Sequence, residues 1–438
     1  MSAESPNLLA RIMRSASKIE PSELRAVLLS FGFVFTLMAA YYILRPVRDA
    51  MSSNWTDAEL STLFTATFIF SVAAVFLYGV AASRVKFRWL VPGVYGFFAV
   101  SFVTFYLAVQ MSSNGILVDK AFFVWVSVFS LFQISVFWSL MADIFSKEQA
   151  PRLFAFIAVG SSVGALVGPL IPLIFAGIGA ANLMLIAAAL LLVPLPVIGV
   201  LERIKVSDLH NEEAHVDLTE QQAIGGNPFA GFLLFLKSPY LLGIGVFIFL
   251  YTAISTFVYF EIKNLLAGVD PILRTQIWAG MDLAVNFLAI GTAMFATGRI
   301  ATRFGLAVTL ALVPVAIVAG LLVVAMAPMI WVVVGLQVVR RAGNYAITRP
   351  GREMLFTVVD RETRFKAKPF IDIVVYRGGD MVTAWAFTGL TQGLGLGLGA
   401  VAAIGAGIAA IWAAVAGYLG RAYRQNHSKP GTKAAEYA

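Results

Sequence analysis

Apolar residues run through this chain in stretches of ~20, the length at which an α-helix rising 1.5 Å per residue crosses a ~30 Å hydrocarbon layer. Twelve such stretches can be read, near 24–46, 58–82, 89–111, 121–143, 153–176, 181–201, 239–260, 275–298, 305–326, 329–348, 369–392 and 398–420. The pattern predicts an all-α polytopic membrane protein, in which each helix satisfies its own backbone polar groups. One stretch breaks the apolar rule. It carries Gln337, Arg340, Arg341, Asn344, Tyr345 and Thr348, which at i, i+3, i+4, i+7, i+8 and i+11 make one polar stripe on a helix. A cation near a bilayer centre costs roughly 3 kcal/mol or more unless it faces a partner or a wet cavity. The stripe therefore predicts a helix that lines water and receives an anion.

Composition agrees with the pattern. With 59% hydrophobic residues, 13% charged and a mean hydropathy of +0.84, an ordinary soluble domain is excluded. Charge placement then orients the spans. Only Arg45, Arg48, Lys120, Lys263 and Arg274 fall on one side, while Arg340, Arg341 and Arg377 lie inside spans. The rest of the 32 Lys and Arg fall on the other side. Positive charge is retained in the cytoplasm, so both termini are expected there, in a bacterial inner membrane. The net charge of +8 is then a topology signal, and no nucleic-acid partner is expected. Arg84, Lys86, Arg88, Arg299 and Arg303 read as topology determinants rather than ligands.

Residues 1–21 form an N-terminal basic amphipathic segment. Leu8, Leu9, Ile12, Met13, Ala16 and Ile19 oppose Arg11, Arg14 and Lys18, which suits either a helix lying on the inner leaflet or a disordered basic tail. The remaining plan is a six-helix bundle over 22–203, a cytoplasmic linker over 204–237, a second six-helix bundle over 238–421 and a cytoplasmic tail over 422–438. Asp208, His210, Glu212, Glu213, His215, Asp217 and Glu220 make the linker polar. A shift of about 215 residues superposes Arg84 and Arg88 on Arg299 and Arg303, and Arg48 on Lys263. A shift of about 216 places Arg152, Phe154 and Ile157 on Lys368, Phe370 and Ile373. A parallel repeat of six helices is the plan of the major facilitator fold, in which solute binds near the midplane and the halves rock for alternating access.

Polar residues within the spans are the candidate site. Tyr41, Arg45 and Arg48 share one face of the first span, with Asp49 beside them. Span 7 carries Tyr251, Ser255, Tyr259 and Lys263, and span 8 carries Trp278, Asp282 and Asn286. Span 11 begins at Lys368 and holds Asp372, Tyr376, Arg377 and Asp380. Gln337, Arg340, Arg341, Asn344 and Arg377, with Tyr41, Arg45 and Arg48, are the expected anion ligands. Asp282, Asp380, Asp372 and Lys368 are expected to serve in coupling or in ion pairs. A purely structural account competes here, because Arg377 could pair with Asp380 and Arg340 with Asp282.

Other chemistry has little footing. The chain has no cysteine, so disulfides and thiol chemistry are excluded. His210, His215 and His427 all sit in the linker or tail, which leaves no intramembrane His for a metal or a general base. No Walker motif is present, and no enzyme activity, metal or cofactor is expected. Gly393 to Gly399, reading GLGLGLG, lacks the strand and Lys of a phosphate loop and reads as a membrane-edge turn. Gly160, Gly164 and Gly168 are spaced for close helix packing.

Three segments carry a family likeness. YYILRPVRDAM from Tyr41, FWSLMADIFSKEQAPRLF from Phe137 and RPGREMLFTVVDRETRFKAKPFIDIVVYRGGD from Arg349 resemble the ATP/ADP translocase family of nucleotide transporters, in particular its shorter bacterial relatives grouped with the major facilitators. The resemblance implies twelve spans and exchange of nucleotides without hydrolysis. The family's Leu-Arg-x-x-Lys-Asp pattern is met by Leu44, Arg45 and Asp49, with Arg48 at the Lys position. Its Lys-x-x-Ile-Asp pattern is met by Lys368, Ile371 and Asp372. Asp380 stands where the family has a later Lys, which reverses charge at a position the resemblance assigns to exchange. The leading expectation is a secondary antiporter of a small anionic, phosphorylated solute. A proton-coupled carrier of another organic anion, with Asp282 or Asp380 titrating, and a non-transporting receptor or scaffold are the alternatives.

Overall fold

The computed structural model describes residues 19–85, 87–112, 115–146, 148–209, 235–359, 367–368 and 371–427. The basic segment before residue 19 and most of the linker lie outside the described residues. Helices dominate: α1 Leu24–Met51, α2 Asp57–Arg84, α3 Phe87–Met111, α4 Gly115–Ile144, α5 Ala150–Phe175, α6 Ala180–Leu192 and α7 Pro194–Ser207 come first. They are followed by α8 Pro239–Leu265, α9 Pro271–Thr292, α10 Gly298–Met326, α11 Ile330–Gly343, α12 Arg349–Leu355, α13 Tyr376–Thr388 and α14 Leu398–His427.

Local chemistry sets the boundaries. At the start of α9, Asp270 accepts from the backbone N–H groups of Ile272 and Leu273 at 2.9 and 3.2 Å, and Pro271 fills the first turn where no N–H is needed. Ser238 and Pro239 open α8 in the same way. The sixth span is broken into α6 and α7 at Val193, since Pro194 has no N–H to continue the ladder. Among the described residues, nine helical runs are long and apolar enough to cross a membrane, and Pro271–Met326, at 56 residues, has the length of two spans. Gly305 divides that run with φ 76°, a left-handed backbone that glycine adopts without strain. Gly395, with φ 66°, likewise lies in the turn ahead of α14, inside the glycine-rich segment.

Among the described residues, four π-helical turns interrupt the later helices, at Ala293–Thr297, Asn344–Thr348, Ile371–Val375 and Gly389–Gly393. Such turns insert one residue into the α ladder and often mark functional positions.

The chain divides into two compact units. The first comprises residues 1–48, 73–223 and 275–283, and the second residues 49–72, 224–274 and 284–438, each in its described parts. In the first unit α3 packs on α4, α6 and α7. Phe33 sits edge-on to Tyr95 and Phe137 at 5.4 and 5.2 Å, and Tyr95 donates to the Gln133 carbonyl at 3.0 Å. Small residues let α5 approach α1. A Cβ on Gly160 would lie 2.5 Å from the Phe31 carbonyl oxygen, one on Gly168 would lie 2.7 Å from that of Ala39, and one on Gly164 would collide with that of Phe35. These glycines serve helix packing, as their spacing suggested.

In the second unit α14 packs along α10 and α8, and α13 packs along α8. Trp412 anchors this core, with Phe247 and Tyr251 at 5.5 and 5.8 Å. Residues 49–72 add the end of α1 and the first half of α2, and Ser61 and Thr388 share a hydrogen bond of 2.8 Å there.

Candidate functional site

In the first unit, α1 carries its two arginines to different partners. Arg45 places a guanidinium nitrogen 3.9 Å from Asp282, which is almost fully buried. Arg48 donates to the Ser127 hydroxyl at 3.1 Å and lies 5.3 Å over the Phe123 ring. Tyr41 packs edge-on against Tyr42 at 5.3 Å. Asp282 therefore has Arg45 as one partner within the first unit.

In the second unit, the stripe on α11 is buried as a block. Gln337, Arg340 and Arg341 are 2%, 3% and 2% exposed, although each is a group that water would solvate strongly. Arg340 is fixed from two directions. Its Nε donates to the Gln337 amide oxygen at 2.9 Å, and its guanidinium lies over the Tyr251 ring at 5.8 Å. One terminal nitrogen, Nη1, is buried with no hydrogen-bond partner among the described residues. Tyr251 is in turn 6.1 Å from Tyr376 at the start of α13. One turn further on, half-buried Asp380 accepts from Thr256 at 3.2 Å and feels the charges of Arg377 and Arg340. Gln337, Arg340, Arg377 and Asp380 are therefore brought into one neighbourhood. The π turn starting at Asn344 changes the helical phase, so Thr348 is buried while Asn344 and Tyr345 stay partly open.

Lys368 and Asp372 belong to a different cluster. Lys368 donates to Glu353, and Arg352 bridges Glu353 at 3.0 Å and Asp372 at 3.6 Å. Glu353 lies beyond the span. Burial raises its affinity for a proton, but hydrogen bonds from Lys368 and Arg352 outweigh this and hold it below the usual carboxylate range.

A third group was not singled out from sequence. Asp57 accepts from Lys263 at 2.7 Å, from Asn264 at 3.0 Å and from Thr391 at 2.7 Å, while Lys263 also donates to the Trp55 carbonyl at 2.8 Å. Arg274, 4% exposed, reaches Asn54 at 2.6 Å and the carbonyls of Ala267 and Val269. Glu261 is buried in the same region. Its only warning in the sequence was an ionisable residue inside an apolar run. Among the described residues, no cluster of three or more His, Cys, Asp or Glu could hold a metal.

A helical membrane protein in two compact units, with buried cations inside its bundles, has the architecture of a secondary transporter. The chain belongs to the major facilitator superfamily, whose family model matches residues 27–351. Among solved structures it is similar to a bacterial homologue of the human lysosomal transporter Spinster, determined inward-facing and unoccupied, at 13% identity and a TM-score of 0.59. That match covers 94% of this chain and all of the other. It is also similar to the nucleoside transporter NupG, at 14% identity and a TM-score of 0.57, over 94% of this chain and 100% of that one. At these identities the likeness is one of fold. No curated protein sequence matched.

Proposed function

We propose that the protein is an antiporter of a small anionic, phosphorylated solute, exchanging nucleotide-type substrates by alternating access as the ATP/ADP translocases it resembles do. The six-helix halves over 22–203 and 238–421 are the moving bodies in this reading, in a bacterial inner membrane with both termini cytoplasmic. The observation that carries it is Arg340. A buried guanidinium held by Gln337 and Tyr251, with one nitrogen left over, is a preorganised anion receptor. Arg341 and Arg377 add positive charge, and an arginine fork matches phosphate oxygens in a bidentate way that Lys does not. Asn344 supplies a neutral donor, and Tyr41, Arg45 and Arg48 are assigned to the solute's path through the first unit.

Asp380 favours a second reading, proton-coupled uptake of another organic anion, because it places a half-buried carboxyl beside the arginines. Proteoliposomes separate the two. An exchanger shows counterflow that requires solute on both sides and persists without a pH gradient. Net accumulation driven by a pH gradient and lost in Asp380→Asn or Asp282→Asn assigns the protein to the proton-coupled class. Arg340→Gln is expected to abolish uptake while the protein remains folded. Normal uptake by Arg340→Gln would remove the site.

A further inference from the structure

Glu261 is buried in a place that its charge does not suit. It lies one turn from the C-terminal end of α8, is 1% exposed, and neither carboxyl oxygen has a hydrogen-bond partner among the described residues. Lys263 is two positions away, and residues so spaced do not face each other on a helix. That ammonium is spent on Asp57 and the Trp55 carbonyl. The charged group that acts on Glu261 is Asp57, which is itself an anion.

The other titratable groups near α8 are engaged elsewhere, including Arg274, which donates to Asn54 and to the Ala267 and Val269 carbonyls. On α8 itself, the Tyr259 hydroxyl donates to Asp49 at 3.1 Å. At the start of α2, Glu59 acts on Lys263 and accepts from Thr56. Asp380 and Tyr376 on α13, with Arg340 on α11, lie about two turns back along α8, opposite Tyr251 and Thr256, and Arg377 acts on Asp380. Asp372 in the adjoining π turn is taken by Arg352. Tyr418 on α14 packs at Gly243, near the other end of α8.

A buried carboxylate without a partner costs several kcal/mol, and such a group neutralises instead of remaining charged. We propose that Glu261 is a proton-binding site whose occupancy keeps the Asp57–Lys263 latch closed. With the proton bound, Lys263 stays in direct contact with Asp57 and the end of α8 is tied to the start of α2. Releasing the proton sets a second buried anion beside Asp57 with no cation hydrogen-bonded to it, and the pair loosens. This site is distinct from Asp282 and Asp380 and does not depend on which solute is carried.

The test is infrared difference spectroscopy of the purified protein between acid and alkaline pH. Wild type is expected to show the carbonyl stretch of a buried protonated carboxylic acid, shifted by ¹³C-glutamate labelling and lost completely in Glu261→Gln. Glu261→Asp covers the case in which the Gln variant does not fold. It should keep a band that now shifts with ¹³C-aspartate. Absence of a glutamate-sensitive band in wild type, or its persistence in a Glu261 variant, would overturn the proposal. The latch has its own readout in this cysteine-free chain. A Ser53→Cys thiol, at a position only 4% exposed, should be labelled faster at alkaline pH when Glu261 is present than in the Glu261→Gln background. Equal rates in the two backgrounds at every pH would refute the coupling to the latch.

Discussion

Gly160→Ala adds a single methyl group where α5 meets α1. In most helices the change is favourable, because glycine is less helix-prone than alanine by about 0.8–1.0 kcal/mol. Here the new Cβ would sit 2.5 Å from the Phe31 carbonyl oxygen, 3.0 Å from a Val34 methyl and 3.1 Å from the Phe31 ring, whereas ordinary contact begins at 3.4 Å. The nearest atom is backbone, so it cannot rotate away. Opening the crossing also loosens Gly164 and Gly168, which lie on the same face against Phe35 and Ala39. Overpacking of this kind costs about 1–3 kcal/mol, enough to outweigh the propensity gain. Gly96→Ala in α3 is the control, since nothing lies within 4 Å of its added Cβ. Thermal unfolding of both variants in one detergent should lower the midpoint for Gly160→Ala and leave it level or raised for Gly96→Ala. A Gly160→Ala variant as stable as wild type would refute the close-approach argument.

Lys263→Met leaves Asp57 buried without its cation and should cost about 3–5 kcal/mol. Adding Asp57→Asn should restore much of that loss, and additive effects in the two single variants would show that the pair is not coupled. Glu353 is held below the ordinary carboxylate range by Lys368 and Arg352, so its contribution is present above the unfolded-state value and lost as pH falls through the folded one. On acidification, wild type should therefore lose more of its thermal midpoint than Glu353→Gln, and parallel curves would contradict the assignment. A cysteine placed at His215 should be shielded from impermeant reagents in intact cells, and labelling from outside would invert the proposed topology.

Helix positions were readable because apolar run length and proline or cap residues act locally. The run expected from 398 begins at Leu398, and that expected from 58 begins at Asp57. The common face of Gln337, Arg340 and Arg341 followed from spacing, but spacing pointed to a water-lined stripe, and the structure holds all three side chains buried. Partner choice did not follow from spacing. That Asp282 meets Arg45 depends on how helices distant in sequence are arranged, which no periodicity encodes. The stripe also loses its α-helical phase at Asn344. A π turn arises from backbone hydrogen bonds and leaves no mark on side-chain type. Glu261 went unnoticed because the sequence does not show that Lys263, two positions on, has its ammonium turned to Asp57.

The four π turns give the second unit a property that can be stated as arithmetic of rotation. Each holds one residue more than an α-helix of the same rise, and a residue is worth about 100° of turn. Deleting Ile347 from the turn Asn344–Thr348 would let α11 run into α12 as a plain α-helix. The deletion would therefore leave Arg352 and Glu353 against Asp372 and Lys368, whereas running the undeleted residues as a plain α-helix would swing everything after them by about 100° around the axis. The π turn thus absorbs one surplus residue while keeping the charged cluster in its place relative to the buried guanidinium.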